Sequence, residues 1–243
     1  QGAPLWWATR EADELVLAGA VPGEADRRAL IALAKRGLGR EVRDEMVVAE
    51  TAAANWMDGA KAGLAHFAAF RSGKMTFDPA VNGFTFEGDA PASTLQFLSE
   101  DMARTAGRWR VVIAALPVTP DVELDGDATC AENINRMLDS EAVSFEPGRA
   151  EFRRGDAGAL DQLAAIARRC DTGASLELAV DGDALAQARA AALADYLERA
   201  GVSRPPLAAI SYGPGREVEG MESGAAPGND RPLELTVRER SAR

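Results

Sequence analysis

The feature that most constrains this chain is an alternation of strand-like and helix-like segments between Val143 and Val237. Apolar residues in the segment 185–202 recur at steps of three and four, which predicts an amphipathic helix that ends at Gly201. A second helix is predicted at 157–169. Short apolar alternations predict strands at 143–145, 176–180, 207–211 and 233–237. The order strand, helix, strand, helix, strand, strand predicts an α/β sandwich of about a hundred residues.

Five motifs in this stretch resemble the OmpA-like C-terminal domain, a periplasmic module that holds peptidoglycan in Gram-negative bacteria. They stand in the order that the family shows, which makes the match more specific than any one of them. The motifs are FEPGRAEF at 145–152, LAQARA at 185–190, GV at 201–202, SYGPGREV at 211–218 and DRPLEL at 230–235. The resemblance implies a βαβαββ fold, with a mixed sheet backed by helices, over residues 128–239.

The resemblance also implies a ligand site. In the family, an Asp and an Arg clamp the amino and carboxylate ends of a diaminopimelate residue, and here Asp183 and Arg189 align with them. A zwitterionic ligand needs one carboxylate and one guanidinium, and the guanidinium gives a planar, bidentate grip. Arg231 belongs to the closing motif and is expected nearby.

This chain departs from the family between the two clamping residues. Asp183 and Arg189 are only six positions apart, so the intervening loop is shorter by roughly nine residues. Pro232 also replaces the second closing Arg of the family. In the alternative interpretation, Asp183 is simply the N-cap residue of the helix and Asp181 is a turn residue.

The charge of the chain limits the classes of partner. The 243 residues carry a formal net charge of −11, which argues against nucleic acid and anionic lipid headgroups as partners. No run approaches the ~18 apolar residues of a membrane helix. Because the sequence begins at Gln1, we expect a processed form or a fragment, with an export signal or membrane anchor upstream.

The two cysteines, Cys130 and Cys170, lie at the start and the end of the helices predicted on either side of the 143–145 strand. Together with His66, the only histidine, they are too few for a four-ligand zinc site. The envelope-type resemblance favours a disulfide, which would close a loop of about forty residues and contribute roughly 4 kcal/mol. The alternative is a pair of buried thiols in a cytosolic protein.

The first half of the chain contains an internal repeat. The segments LVLAGAVP at 15–22 and FTFEGDAP at 84–91 align without a gap, and each passes a Gly and reaches a Pro before a predicted helix. The helices are predicted at 24–35 and at 93–105, the latter with Ser93 as its cap. The predicted strands are 5–9 and 41–48 in the first copy, and 74–77 and 109–116 in the second.

The repeated unit resembles the BON domain, a small αββαβ module of bacterial envelope proteins. The second copy has the leading helix, at 55–70, whereas in the first copy that helix is absent or lies upstream of Gln1. We therefore predict an α+β protein of three small α/β sandwich modules. These are BON-like repeats at 1–50 and 51–118, a linker at 117–127 and the OmpA-like domain at 128–239. The alternative is an unrelated pair of β-α-β units.

No arrangement of residues in this sequence points to catalysis. His66 lies inside a predicted helix between apolar neighbours, which is typical of a packed side chain. The chain has neither a nucleophile elbow nor a dinucleotide fingerprint. We therefore expect a protein that is not an enzyme and that uses no cofactor or metal.

Two functions remain open. In the first, the chain is a non-enzymatic periplasmic protein that binds peptidoglycan through the Asp183 and Arg189 pair and reaches a membrane only through an upstream anchor. In the second, it is a structural or assembly subunit that kept the fold, lost wall binding and contacts a protein partner in an envelope complex.

Overall fold

A computed structural model describes most of the chain as two compact units, Gln1–Val118 and Thr119–Arg243. The described residues are 6–11, 14–38, 41–49, 56–105, 108–126, 128–141, 143–169, 177–181, 185–202 and 208–212. Helices and a mixed six-stranded sheet occur together, which is compatible with the predicted α+β class.

The first unit contains a six-stranded sheet in the order β3-β2-β1-β4-β5-β6. Its strands are β1 Trp6–Glu11, β2 Glu14–Val21, β3 Glu41–Val48, β4 Ser72–Asp78, β5 Gly83–Pro91 and β6 Arg110–Val118. Its helices are α1 Glu24–Leu38, α2 Met57–Phe67 and α3 Ala92–Arg104. The hairpins β1–β2 and β4–β5 are antiparallel, and each is followed by a helix and a third strand that returns parallel to the second.

The internal repeat is present in the backbone as well as in the sequence. In the parallel pairs, Glu14 lies beside Glu41 and Gly83 beside Arg110, so both registers are offset by the same number of residues. The aligned glycines of the two copies both have positive φ angles, 98° at Gly19 and 119° at Gly88. That conformation is costly for residues other than glycine.

The two copies do not form separate modules. The antiparallel pairing of β1 with β4 joins them at the centre of one sheet, with Trp6 opposite Phe77. One apolar core under this sheet contains side chains from both copies and from all three helices. The sequence prediction of two independent sandwiches therefore differs from the structure, because each repeat supplies only half of a shared sheet.

Helix α2 packs against both α1 and α3 on the buried face of the sheet. Two glycines allow this close approach. A Cβ atom added to Gly59 would lie 2.5 Å from the ring of Phe84, and one added to Gly63 would lie 2.7 Å from the side chains of Met75 and Phe86. At the sheet edges the opposite face is exposed, with Val47, Val112 and Leu116 among the exposed apolar residues.

Most predicted elements of the first unit are confirmed within a few residues, and the predicted cap of α3 is wrong. The N-cap residue of α3 is Pro91, and Ser93 lies inside the helix as a buried residue. Strand β5 continues to Pro91, whose backbone is still extended with φ −52° and ψ 141°, and the helix begins directly after it.

The described part of the second unit contains three helices and two strands. Its helices are α4 Cys130–Ser140, α5 Ala157–Arg169 and α6 Ala186–Arg199, with a 3₁₀ turn at Arg154–Asp156. Its described strands, β7 Glu177–Asp181 and β8 Ala208–Tyr212, are parallel neighbours. The predicted strand at 143–145 is reduced to one antiparallel bridge between Phe145 and Phe152. The predicted strand at 233–237 lies outside the described residues.

Polar side chains stabilise the loop that leads into α4 and the first turn of that helix. Thr129 and Glu132 form a reciprocal capping box at the start of α4. The buried amide of Asn133 donates to the carbonyl oxygens of Asp125, Ala128 and Thr129, and its oxygen accepts from the Asp125 N–H. These bonds satisfy the backbone of the loop that precedes α4.

Candidate functional site

Arg189 is the one predicted ligand-binding residue whose position the structure describes. It lies in the first turns of α6, where its side chain is half-buried. Its Nε atom donates a 3.1 Å hydrogen bond to the carbonyl oxygen of Arg149. Its Cζ atom lies 5.4 Å from the centre of the Phe145 ring, within the range of a cation–π contact. The plane of the guanidinium group is therefore held by two contacts from one loop.

That loop, residues 145–152, is a tight turn closed by its own backbone. The N–H of Glu146 donates to the carbonyl oxygen of Glu151 at 2.8 Å, and the N–H of Arg149 donates to that of Glu146 at 3.0 Å. Gly148 has a φ of 69°, a left-handed conformation that favours glycine. These bonds present the Arg149 carbonyl group to α6.

Three aromatic rings anchor the same loop. Phe145 stacks on Phe152 with ring centres 4.7 Å apart, and Phe152 meets the edge of Tyr196 at 5.7 Å. All three side chains are buried. Because Tyr196 is two turns beyond Arg189 on α6, the rings fix the loop against the same helix that carries the guanidinium group.

A buried polar pair ties α6 to α5. The hydroxyl group of Tyr196 donates a 3.0 Å hydrogen bond to Asp161, a residue that is itself buried. Burial raises the pKa of Tyr196 well above its usual value, and the negative charge and hydrogen bond of Asp161 raise it further. Tyr196 therefore stays neutral over the whole physiological range and acts as a structural donor.

Asp183, Arg231 and Cys170 lie outside the described residues. The N-cap position of α6 belongs to Leu185, which makes no side-chain cap hydrogen bond. This differs from the interpretation in which Asp183 caps the helix.

Sequence reasoning missed the roles of Phe145 and Arg149. Both belong to the FEPGRAEF motif, which was used to identify the fold and not to locate a site. The glycine inside that motif was the available signal, since it indicates a tight turn whose carbonyl groups face outward. Nothing local in the sequence links that turn to a helix forty residues later.

The disulfide between Cys130 and Cys170 stays a prediction. Cys130 is the first residue of α4 and is not a free thiol. Helix α4 packs against α5, whose last described residue directly precedes Cys170. The pairing itself involves a residue outside the described part of the chain.

His66 makes a structural contact in the first unit. Its Nε2 atom lies 2.7 Å from an Oδ atom of Asp101, so it links α2 to α3, and Asp101 also accepts a 2.8 Å bond from Arg104. Within the described ranges, no three His, Cys, Asp or Glu residues are grouped as a metal site would require. None of the helices described is both long enough and apolar enough to span a bilayer.

No protein-family model matches the chain, and no curated protein matches it either. The arrangement around Arg189 and the motifs that carry the resemblance are therefore the features that bear on function.

Proposed function

We propose that this chain is a non-enzymatic protein of the bacterial envelope, located in the periplasm, whose second unit associates with peptidoglycan. In this proposal the second unit is an OmpA-like domain and the first is a BON-like pair. Arg189 binds the carboxylate of the diaminopimelate residue in the stem peptide, and Asp183 and Arg231 complete the site.

The placement of the Arg189 side chain supports the proposal most. A guanidinium group that lies over an aromatic ring and is hydrogen-bonded at Nε keeps its plane fixed. A fixed plane is what bidentate recognition of a carboxylate requires. The loop that fixes it carries the opening motif of the OmpA-like resemblance, so two independent parts of that resemblance meet at one residue.

A sedimentation assay with purified sacculi tests the proposal. We expect the chain to pellet with diaminopimelate-containing peptidoglycan, and Arg189→Ala to remove most of the bound fraction. Arg189→Lys keeps the charge but not the planar group, and we expect it to bind weakly. Arg199→Ala is the matched control, because Arg199 lies on the same helix and, among the residues that the structure describes, bonds only to the carbonyl oxygen of Asp195 one turn earlier. Equal binding by Arg189→Ala and Arg199→Ala would rule out this site.

The second candidate function is an assembly subunit that contacts a protein partner in an envelope complex. The observation that favours it is the six-residue spacing between Asp183 and Arg189, which leaves less room for a ligand loop than the family has. A chain that never pellets with sacculi, but copurifies with one defined membrane-complex protein after mild crosslinking, would support this function instead.

A further inference from the structure

The two edges of the six-stranded sheet have opposite chemistry. At one edge, β3 reads EVRDEMVV and carries four charged residues. At the other edge, β6 reads RVVIAALPV, and Arg110 is its only charged residue. Charged side chains on an edge strand prevent pairing with another strand, whereas a long apolar edge favours it. The repeat thus places equivalent strands at both edges of the sheet, but only β3 carries the charged residues that oppose pairing with another strand.

The backbone shows the same difference. The N–H of Ala49 donates to the carbonyl oxygen of Val21 on the neighbouring strand. Because successive N–H groups along a strand point to opposite sides, the N–H of Met46 points away from the sheet. It donates there to an Oδ atom of Asp44 at 3.0 Å. In β6 the N–H of Arg110 donates inward to Asn82. The outward groups of β6 are therefore the N–H groups of Val111, Ile113 and Ala115, followed by Pro117, which has none.

A groove lies on the buried-face side of this edge, between α3 and β6. It encloses about 390 Å³ and is lined by Ser99, Met102, Ala103, Trp109, Val111 and Ile113. At the equivalent place in the first copy, the Nε atom of Arg27 on α1 forms a 2.7 Å ion pair with Asp44 on β3. The ion pair therefore covers the β3 edge at this place, whereas the equivalent place beside β6 is an open groove.

We propose that β6 pairs with β6 of a second copy of this chain, antiparallel about a two-fold axis that passes beside Ile113. In this register Val111 lies opposite Ala115 of the second copy, and Ile113 lies opposite Ile113. All the outward N–H groups then donate to the second copy, and Pro117 falls outside the paired region. The two helices α3 lie on the same face, and the inward side chains of each β6 cover the groove of the other copy.

Charge explains why the occupant is a second copy despite the net charge of −11. In the proposed register Arg110 lies opposite Leu116 of the second copy, and no two like charges face each other. Self-pairing of β3 about Asp44, the residue equivalent to Ile113, would instead place Asp44 opposite Asp44 of the second copy. An interface with two-fold symmetry must be self-complementary, and β6 meets that condition. The β1–β4 pairing already joins two equivalent half-sheets in the same antiparallel way.

The test uses the full chain and measures its mass by sedimentation equilibrium over a range of concentrations. We expect the mass to rise from 25.7 kDa towards twice that value. Leu116→Lys places a cation opposite Arg110 of the second copy twice per dimer, and we expect it to weaken association at least about tenfold. Leu116→Glu offers an ion pair at the same place and should associate as well as or better than the original chain.

Leu116 is 66% exposed, so these changes leave the fold intact, and Val47→Lys on β3 is the matched control at 60% exposure. We expect Val47→Lys to leave the association unchanged. A chain that stays at the single-copy mass at all concentrations overturns the proposal, even if β6 then captures a strand from another protein. So does a dimer that Val47→Lys weakens, or one on which Leu116→Lys and Leu116→Glu have the same effect.

Discussion

The hydroxyl group of Tyr196 on α6 donates a 3.0 Å hydrogen bond to the carboxylate of Asp161 on α5 inside the core of the second unit. Tyr196→Phe leaves a buried carboxylate without this donor, and we expect it to lower the free energy of unfolding of this unit by about 1–3 kcal/mol. The double variant Asp161→Leu/Tyr196→Phe should cost less than the sum of the two single variants. Strictly additive costs would show that the pair is not coupled.

Aromatic residues allow each unit to be followed separately in such measurements. All four tryptophans lie in the first unit, and both tyrosines, Tyr196 and Tyr212, lie in the second. Urea unfolding followed by tryptophan fluorescence therefore reports on the first unit, and the tyrosine signal reports on the second.

The same tyrosine predicts how the second unit responds to alkali. Burial and the nearby Asp161 raise the pKa of Tyr196 in the folded state above its usual value, near 10 in an unfolded chain. The contribution of the neutral hydroxyl to stability is therefore complete below about pH 10 and is lost as the pH rises above that value. In Tyr212→Phe, absorbance at 295 nm should show no tyrosinate until the unit unfolds. Ionisation near pH 10 in the folded chain would contradict this.

Two glycines face each other across the β4–β5 hairpin and have left-handed φ angles of 139° at Gly73 and 119° at Gly88. A Cβ atom on Gly88 would lie 2.1 Å from the carbonyl oxygen of Ser72. We expect Gly88→Ala to destabilise the first unit by about 2 kcal/mol or more, measured by tryptophan fluorescence. Gly158→Ala is the control, since its Cβ meets nothing within 4 Å. It should leave the tryptophan transition unchanged.

The predicted disulfide has a direct chemical test. Under denaturing conditions without reductant we expect no thiol to react with a thiol reagent, and after reduction we expect both Cys130 and Cys170 to react. Reduction should then lower the stability of the second unit by roughly 4 kcal/mol, while the tryptophan signal of the first unit stays unchanged. Two reactive thiols in the untreated chain would contradict the pairing.

Local patterns were sufficient for the elements and insufficient for their arrangement. Helix α5 and strand β3 have the predicted bounds. The pairing of β1 with β4 could not be predicted, since the order of strands depends on contacts more than sixty residues apart and no short motif encodes them. The apparent independence of the two repeats came from reading each one by itself.

The site was predictable only in part, for the same reason. The motif at 185–190 identified Arg189, but its contacts come from Phe145 and the Arg149 carbonyl group, which lie some forty residues earlier. Every residue has a backbone carbonyl group, so the amino-acid sequence does not show which of them makes a contact. The failed strand at 143–145 has a related cause, because the turn at Gly148 folds this segment back on itself and only one bridge, Phe145 to Phe152, can form.

Because helix α2 packs between α1 and α3, neither half of the first unit contains a complete apolar core of its own. A polypeptide that stopped after β3 would expose Trp6, Leu17 and Leu30 to water, and one that began at α2 would expose Phe77 along an open seam. The duplicated halves are thus inseparable in practice. Expressed as two fragments, they should be insoluble alone and regain a soluble form when produced together.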